Sequence, residues 1–88
     1  MIVKKMKIKN KMGLHARPAA LFVETASRYS AEVWLTKDGV EVSGKSIMGI
    51  LMLAAEFGNE IEIKIKGKDE EDALDELTDL LEGRFNEE

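Results

Sequence analysis

At 88 residues the chain has room for a single domain, residues 1–88, with one modest core. It contains no cysteine and one histidine, which excludes a disulfide framework, a thiolate metal site and a histidine-rich one; no metal and no cofactor are expected. The formal charge of −4 is unevenly spread, with six Lys/Arg and no Asp/Glu in residues 1–20 against ten Asp/Glu and one Arg in residues 69–88.

The first element is a strand. MIVKKMKIK sets Ile2, Met6 and Ile8 at even spacing with lysines between, the pattern of a strand with one buried face. Residues 16–28 follow with helical spacing, Ala19, Phe22, Val23 and Ala26 along one stripe. EVWLTK and VEV read as strands joined by Asp38-Gly39, a dipeptide suited to a tight hairpin. Residues 47–55 form a shorter apolar helix. EIEIKIK alternates strictly, Ile61, Ile63 and Ile65 towards a core and Glu62, Lys64 and Lys66 towards water. Residues 69–82 place Ala73, Leu74, Leu77, Leu80 and Leu81 on one face, with Asp69 to cap this helix and Gly83 to end it. Short strands that are polar on one side, interleaved with three helices, predict an α+β fold: an antiparallel sheet with helices packed on its single apolar face.

GVEVSGKS, residues 39–46, matches the spacing of the glycine-rich loop that cradles nucleotide phosphates. The context excludes that role. The loop needs a buried parallel strand before it and a long helix after it, whereas here Gly39 serves the hairpin and Val40 and Val42 alternate as a strand. Ser46, just ahead of an apolar helical run, is instead an N-cap candidate. A hydroxyl at a helix start is also a place where an added phosphate would meet free amides.

GLHARPAA, residues 13–20, carries more chemistry. His15 precedes the first helix and Pro18 lies in its first turn, where a missing amide costs nothing. With His15 at the cap position, the amides of Ala16 and Arg17 stay free. Together with the helix dipole and the Arg17 guanidinium they can converge on an anion beside the imidazole. The positive end of a helix favours the neutral, nucleophilic ring and stabilises phosphoryl oxygens once they arrive. No neighbouring side chain completes a hydrolytic triad. The plainer reading is a lone histidine that caps a helix.

In SIMGILM the apolar residues point in too many directions for one buried face. If Ile50 and Leu53 go to the core, Ile47, Met48 and Leu51 form a surplus patch suited to docking a partner; the alternative is a helix buried almost all round.

The pair Gly13-Leu14-His15-Ala16-Arg17-Pro18-Ala19 and Lys45-Ser46-Ile47-Met48-Gly49 resembles the HPr family, the histidine-containing phosphocarriers of the phosphoenolpyruvate-dependent sugar phosphotransferase system. The resemblance spans the whole chain. It implies an open-faced β-sandwich of four antiparallel strands with three helices on one side. It implies a carrier with no independent enzymatic activity, which takes a phosphoryl group from Enzyme I onto Nδ1 of His15, with Arg17 holding it, and passes it to sugar-specific IIA domains. Ala16, Ala20, Ile47, Met48 and Leu51 are the implied docking surface. Ser46 is the implied regulatory site for an HPr kinase/phosphorylase, with a catabolite-control transcription factor downstream. The chain departs from the common pattern at Met12, Glu24 and residues 54–57, AAEF, where glycine is frequent.

Two other readings stay open on the residues alone. One is a regulatory HPr-like protein that works through Ser46 and a transcription factor without phosphoryl relay; the presence of His15 argues against it. The other is nucleic-acid binding by the basic first strand, disfavoured by the overall acidity and by the lack of aromatics in that strand. No apolar run approaches the roughly 20 residues of a membrane span and no signal-peptide layout precedes the first strand. A cytoplasmic monomer, without membrane insertion or nucleic-acid partner, is the expectation.

Overall fold

A computed structural model describes residues 1–83; Arg84, Glu87 and Glu88, counted above, lie outside the described residues. The elements follow the expected order: β1 (Ile2–Lys7), α1 (Ala16–Ala26), β2 (Glu32–Lys37), β3 (Val40–Ser43), α2 (Ile47–Met52), β4 (Glu60–Lys66) and α3 (Glu70–Glu82). The strands form one antiparallel sheet in the order β1-β4-β2-β3. Register follows from the two-residue alternation. Met6 lies opposite Ile61, and Leu35 opposite Ile63, so Met6, Val33, Leu35, Ile61, Ile63 and Ile65 are all buried on one face.

All three helices press on that face. Phe22 of α1, Ile50 of α2 and Leu77 of α3 are fully enclosed with the strand residues. The other face of the sheet is open and polar. There Trp34 pairs with Lys64 across β2 and β4, the Lys64 ammonium sits 5.3 Å from the indole centre, and its other partner is Glu41 at 2.7 Å. Such exposed pairs contribute little individually; they keep the face wet.

The β2–β3 hairpin turns through Asp38 (φ 51) and Gly39 (φ 81), the two left-handed positions that select Asp-Gly. Val40 to Ser43 are therefore strand, and the Lys45 ammonium is spent on the Tyr29 carbonyl at 2.8 Å. The phosphate-loop spacing in this stretch is accidental.

Two end signals work differently from expectation. Asp69 holds the cap position of α3, but its carboxylate makes no capping bond. It accepts instead from the Ser30 and Ala31 amides, both at 2.9 Å, and from the Ser30 hydroxyl, tying the α1–β2 connection to α3. Gly83 ends α3 at φ −82, without a left-handed turn. The Asp69 contact has a pH signature. Hydrogen bonds from the Ser30 amide first, and then the Ala31 amide, hold the carboxyl below its ordinary range against the opposing effect of desolvation. A depressed folded-state value stabilises the fold above the unfolded value and loses that contribution as pH falls through the folded one. Asp69→Asn should therefore unfold earlier than wild type at neutral pH. The gap between their urea midpoints should close as pH drops below the ordinary aspartate value of about 3.9.

Candidate functional site

The site is built by two loops bonded to one another. Past β1, Ile8 stays buried, its amide donating to the Asn59 carbonyl (2.9 Å) while its own carbonyl accepts from the Gly58 amide (2.8 Å). Asn10 is buried as well; its carbonyl accepts from the Gly13 amide at 3.1 Å, and its side-chain amide donates to the Gly13 carbonyl. Leu14 then donates to the Ala55 carbonyl at 2.8 Å. Gly13 has φ +71, and a Cβ there would collide with the Ala55 carbonyl oxygen and lie 2.9 Å from Glu56 Cα. Only glycine lets the two loops approach this closely.

This clamp delivers His15 to the start of α1. Its backbone is extended (φ −80, ψ −173) and its carbonyl accepts from Ala19 at 2.8 Å, but its imidazole makes no capping hydrogen bond and is exposed. The side-chain cap is thus excluded, and no hydrogen bond engages the ring among the described residues. Pro18 supplies no amide, and those of Ala16 and Arg17 donate to no backbone carbonyl among the described residues. Arg17 is exposed, and no salt bridge engages it among the described residues. Among the described residues, a ring outside any hydrogen bond, two amides without a backbone partner, a helix dipole and a guanidinium outside any salt bridge lie within three consecutive residues, an arrangement that can receive an anion bonded to the ring.

Two open grooves flank the imidazole. One is lined by Leu14, His15, Ala16, Leu51, Ala54, Ala55 and Glu56, the other by Lys11, Met12, His15, Glu56 and Phe57. Arg17 lines neither. On α2, Ser46 is the cap that its position suggested, its Oγ accepting from the Gly49 amide at 3.0 Å. Ile50 and Leu53 go to the core, while Ile47, Met48 and Leu51 are 43%, 70% and 37% exposed. That resolves the choice left open for this helix in favour of a surface patch. Ala16 and Ala20 are exposed on α1, and Ala16 and Leu51 share a groove with His15.

The structure adds residues that periodicity passed over. Met12 is 59% and Phe57 63% exposed, and both lie beside His15. They sit in loops, where no repeating pattern flags an apolar residue as misplaced; the only available signal is a large apolar side chain between a charged residue and a glycine. Ala54 turns with φ 50, a left-handed conformation that costs an alanine roughly 1–2 kcal/mol. AAEF thus makes its turn without the glycine common in the family pattern, at the expense of strain next to His15. Ala54→Gly should release that strain and, after the extra chain entropy of glycine, raise stability by about 0.5–1 kcal/mol in urea unfolding.

Among the described residues, no three His, Cys, Asp or Glu side chains group as metal ligands and no helix is long and apolar enough to cross a membrane. A family model described as the PTS HPr component phosphorylation site matches residues 2–83. The phosphocarrier protein HPr of Neisseria meningitidis is 49% identical over 87 residues, covering 99% of this chain and 98% of the relative. The HPr-like protein Crh of Bacillus subtilis is 47% identical over 77 residues, 88% of this chain and 91% of that one. A crystal structure of HPr from Thermoanaerobacter tengcongensis superposes with a TM-score of 0.96 at 51% identity, covering 100% of this chain and 99% of the other.

Proposed function

Because the chain belongs to the HPr family of phosphocarrier proteins, we propose that His15 is its phosphoryl acceptor, charged by phospho-Enzyme I and discharged to sugar-specific IIA domains in the cytoplasm. The observation that carries this is an exposed imidazole at the start of α1 that, among the described residues, makes no hydrogen bond and lies beside amides with no backbone partner. The ring nitrogen's lone pair forms the N–P bond as the donor's bond to phosphorus breaks. The electron pair of the broken bond leaves with the donor, and the ring proton stays on the other nitrogen. The amides of Ala16 and Arg17 and the Arg17 guanidinium then take up the phosphoryl oxygens, which carry close to two negative charges. None of these groups can expel a leaving group alone, so the protein carries the phosphoryl group and its partners supply the catalysis.

Ser46 is the proposed regulatory site. A phosphate there would put negative charge at the edge of the Ile47–Met48–Leu51 patch, and like-charge repulsion with an acidic donor surface would slow charging. The test is intact mass after incubation with phosphoenolpyruvate and a catalytic amount of Enzyme I. One acid-labile phosphoryl group is the expected gain. No gain there, with labelling by ATP and the serine kinase alone, would instead make this a regulator that works through Ser46 and a transcription factor, a reading kept in play by the similarity to Crh.

A further inference from the structure

We propose that Phe57, with Met12 beside it, is an anchor for the phosphoryl-donor protein, in a groove at His15 that the α2 patch does not line; this rests on the reading of His15 as acceptor. A donor has to bring its phosphorus within bonding distance of the imidazole, so its surface must close over the ring. A specific protein interface covers about 800 Å² on each partner, a disc of about 16 Å radius if centred on His15. The whole domain measures 32 × 28 × 21 Å. A disc centred on the ring takes in both grooves that His15 lines, the one with Phe57 as well as the one with Leu51. The second groove brings His15 and Phe57 into one concavity with Met12, Lys11 and Glu56.

The backbone turn that carries Phe57 is closed by two hydrogen bonds. The Asn59 side-chain oxygen accepts from the Glu56 amide at 2.8 Å, and the Asn59 amide donates to the Glu56 carbonyl at 2.9 Å. The turn they close presents a 63% exposed ring. An aromatic side chain loses little conformational freedom on docking, and such residues dominate interface energetics. Met12 can adapt around it. Lys11 and Glu56 give the same groove a charged rim of both signs, the arrangement of a polar border round an apolar anchor.

The test is steady-state phosphorylation of Phe57→Ala by Enzyme I and phosphoenolpyruvate, with Val3→Ser as control, because Val3 is comparably exposed on the open face of the sheet. The expected result is a five- to tenfold rise in KM for the variant with kcat unchanged, the mark of lost binding common to ground and transition states, and no change in the control. An unchanged KM for Phe57→Ala overturns the proposal. So does a shift of wild type, but not Phe57→Ala, to a dimer in sedimentation at assay concentration, which would make the patch a self-contact. If wild type itself takes up no phosphoryl group, the reading of His15 fails; if it is charged and the variant's KM is unchanged, only the anchor fails.

Discussion

His15→Ala is expected to abolish the acid-labile phosphoryl adduct completely while leaving the fold intact. The two halves of this expectation have separate causes. The chain has one histidine, so no second imidazole can take over as nucleophile. Stability should change by no more than about 0.5 kcal/mol, the usual range for an exposed surface side chain, since the imidazole makes no capping bond. A histidine that served only as a cap would behave oppositely: its removal would cost about 1 kcal/mol of helix stability and leave any phosphorylation elsewhere untouched. Intact mass and urea unfolding on the same pair of proteins therefore separate acceptor from cap. A persisting acid-labile adduct on His15→Ala would defeat the acceptor role.

Phe22→Ala should have the largest effect on stability, about 3–5 kcal/mol. Phe22 is fully buried at the middle of α1, and its ring lies against Gly44, where a Cβ would come within 3.2 Å of Phe22 Cε1. The same side chain thus seats α1, which carries His15, and backs the β3–α2 connection, which carries Ser46. A domain of this length has only about 4–13 kcal/mol in total, so the loss consumes much of it. Urea unfolding should show a lower midpoint with an unchanged slope, because the surface exposed on unfolding is nearly the same. Where the variant remains folded, it should still accept phosphate on His15, since Phe22 touches neither groove beside the imidazole. A shift under 1 kcal/mol would mean that the core closes around the missing ring.

Much of the fold was legible in the chain because it rests on local rules. Alternation over residues 60–66 can bury Ile61, Ile63 and Ile65 on one face only, and Asp38-Gly39 permits the turn that joins β2 to β3. Helix ends depend less on local rules. The expected helices over 16–28 and 47–55 stop at Ala26 and Met52, where the chain turns away from the helix path, at Ala54 through a left-handed residue. Asp69 looked like a cap because its own helix begins next to it; it acts on Ser30 and Ala31, distant in sequence, which no local pattern reveals.

What the sequence determined by itself is the local chemistry of the segment proposed as the acceptor. A histidine at a helix start, with proline in the first turn and arginine two residues on, leaves amides and charge beside a nucleophile wherever that helix is placed, since each of these effects acts within one turn. What only the tertiary structure decided is the surface around it. Whether Ile47, Met48 and Leu51 face the core or the solvent depends on how α2 lies over the sheet. That Met12, Glu56 and Phe57 flank His15 depends on the clamp between residues 8–14 and 55–59. Contacts between distant segments are set by how whole elements pack, and that depends on all their buried faces at once.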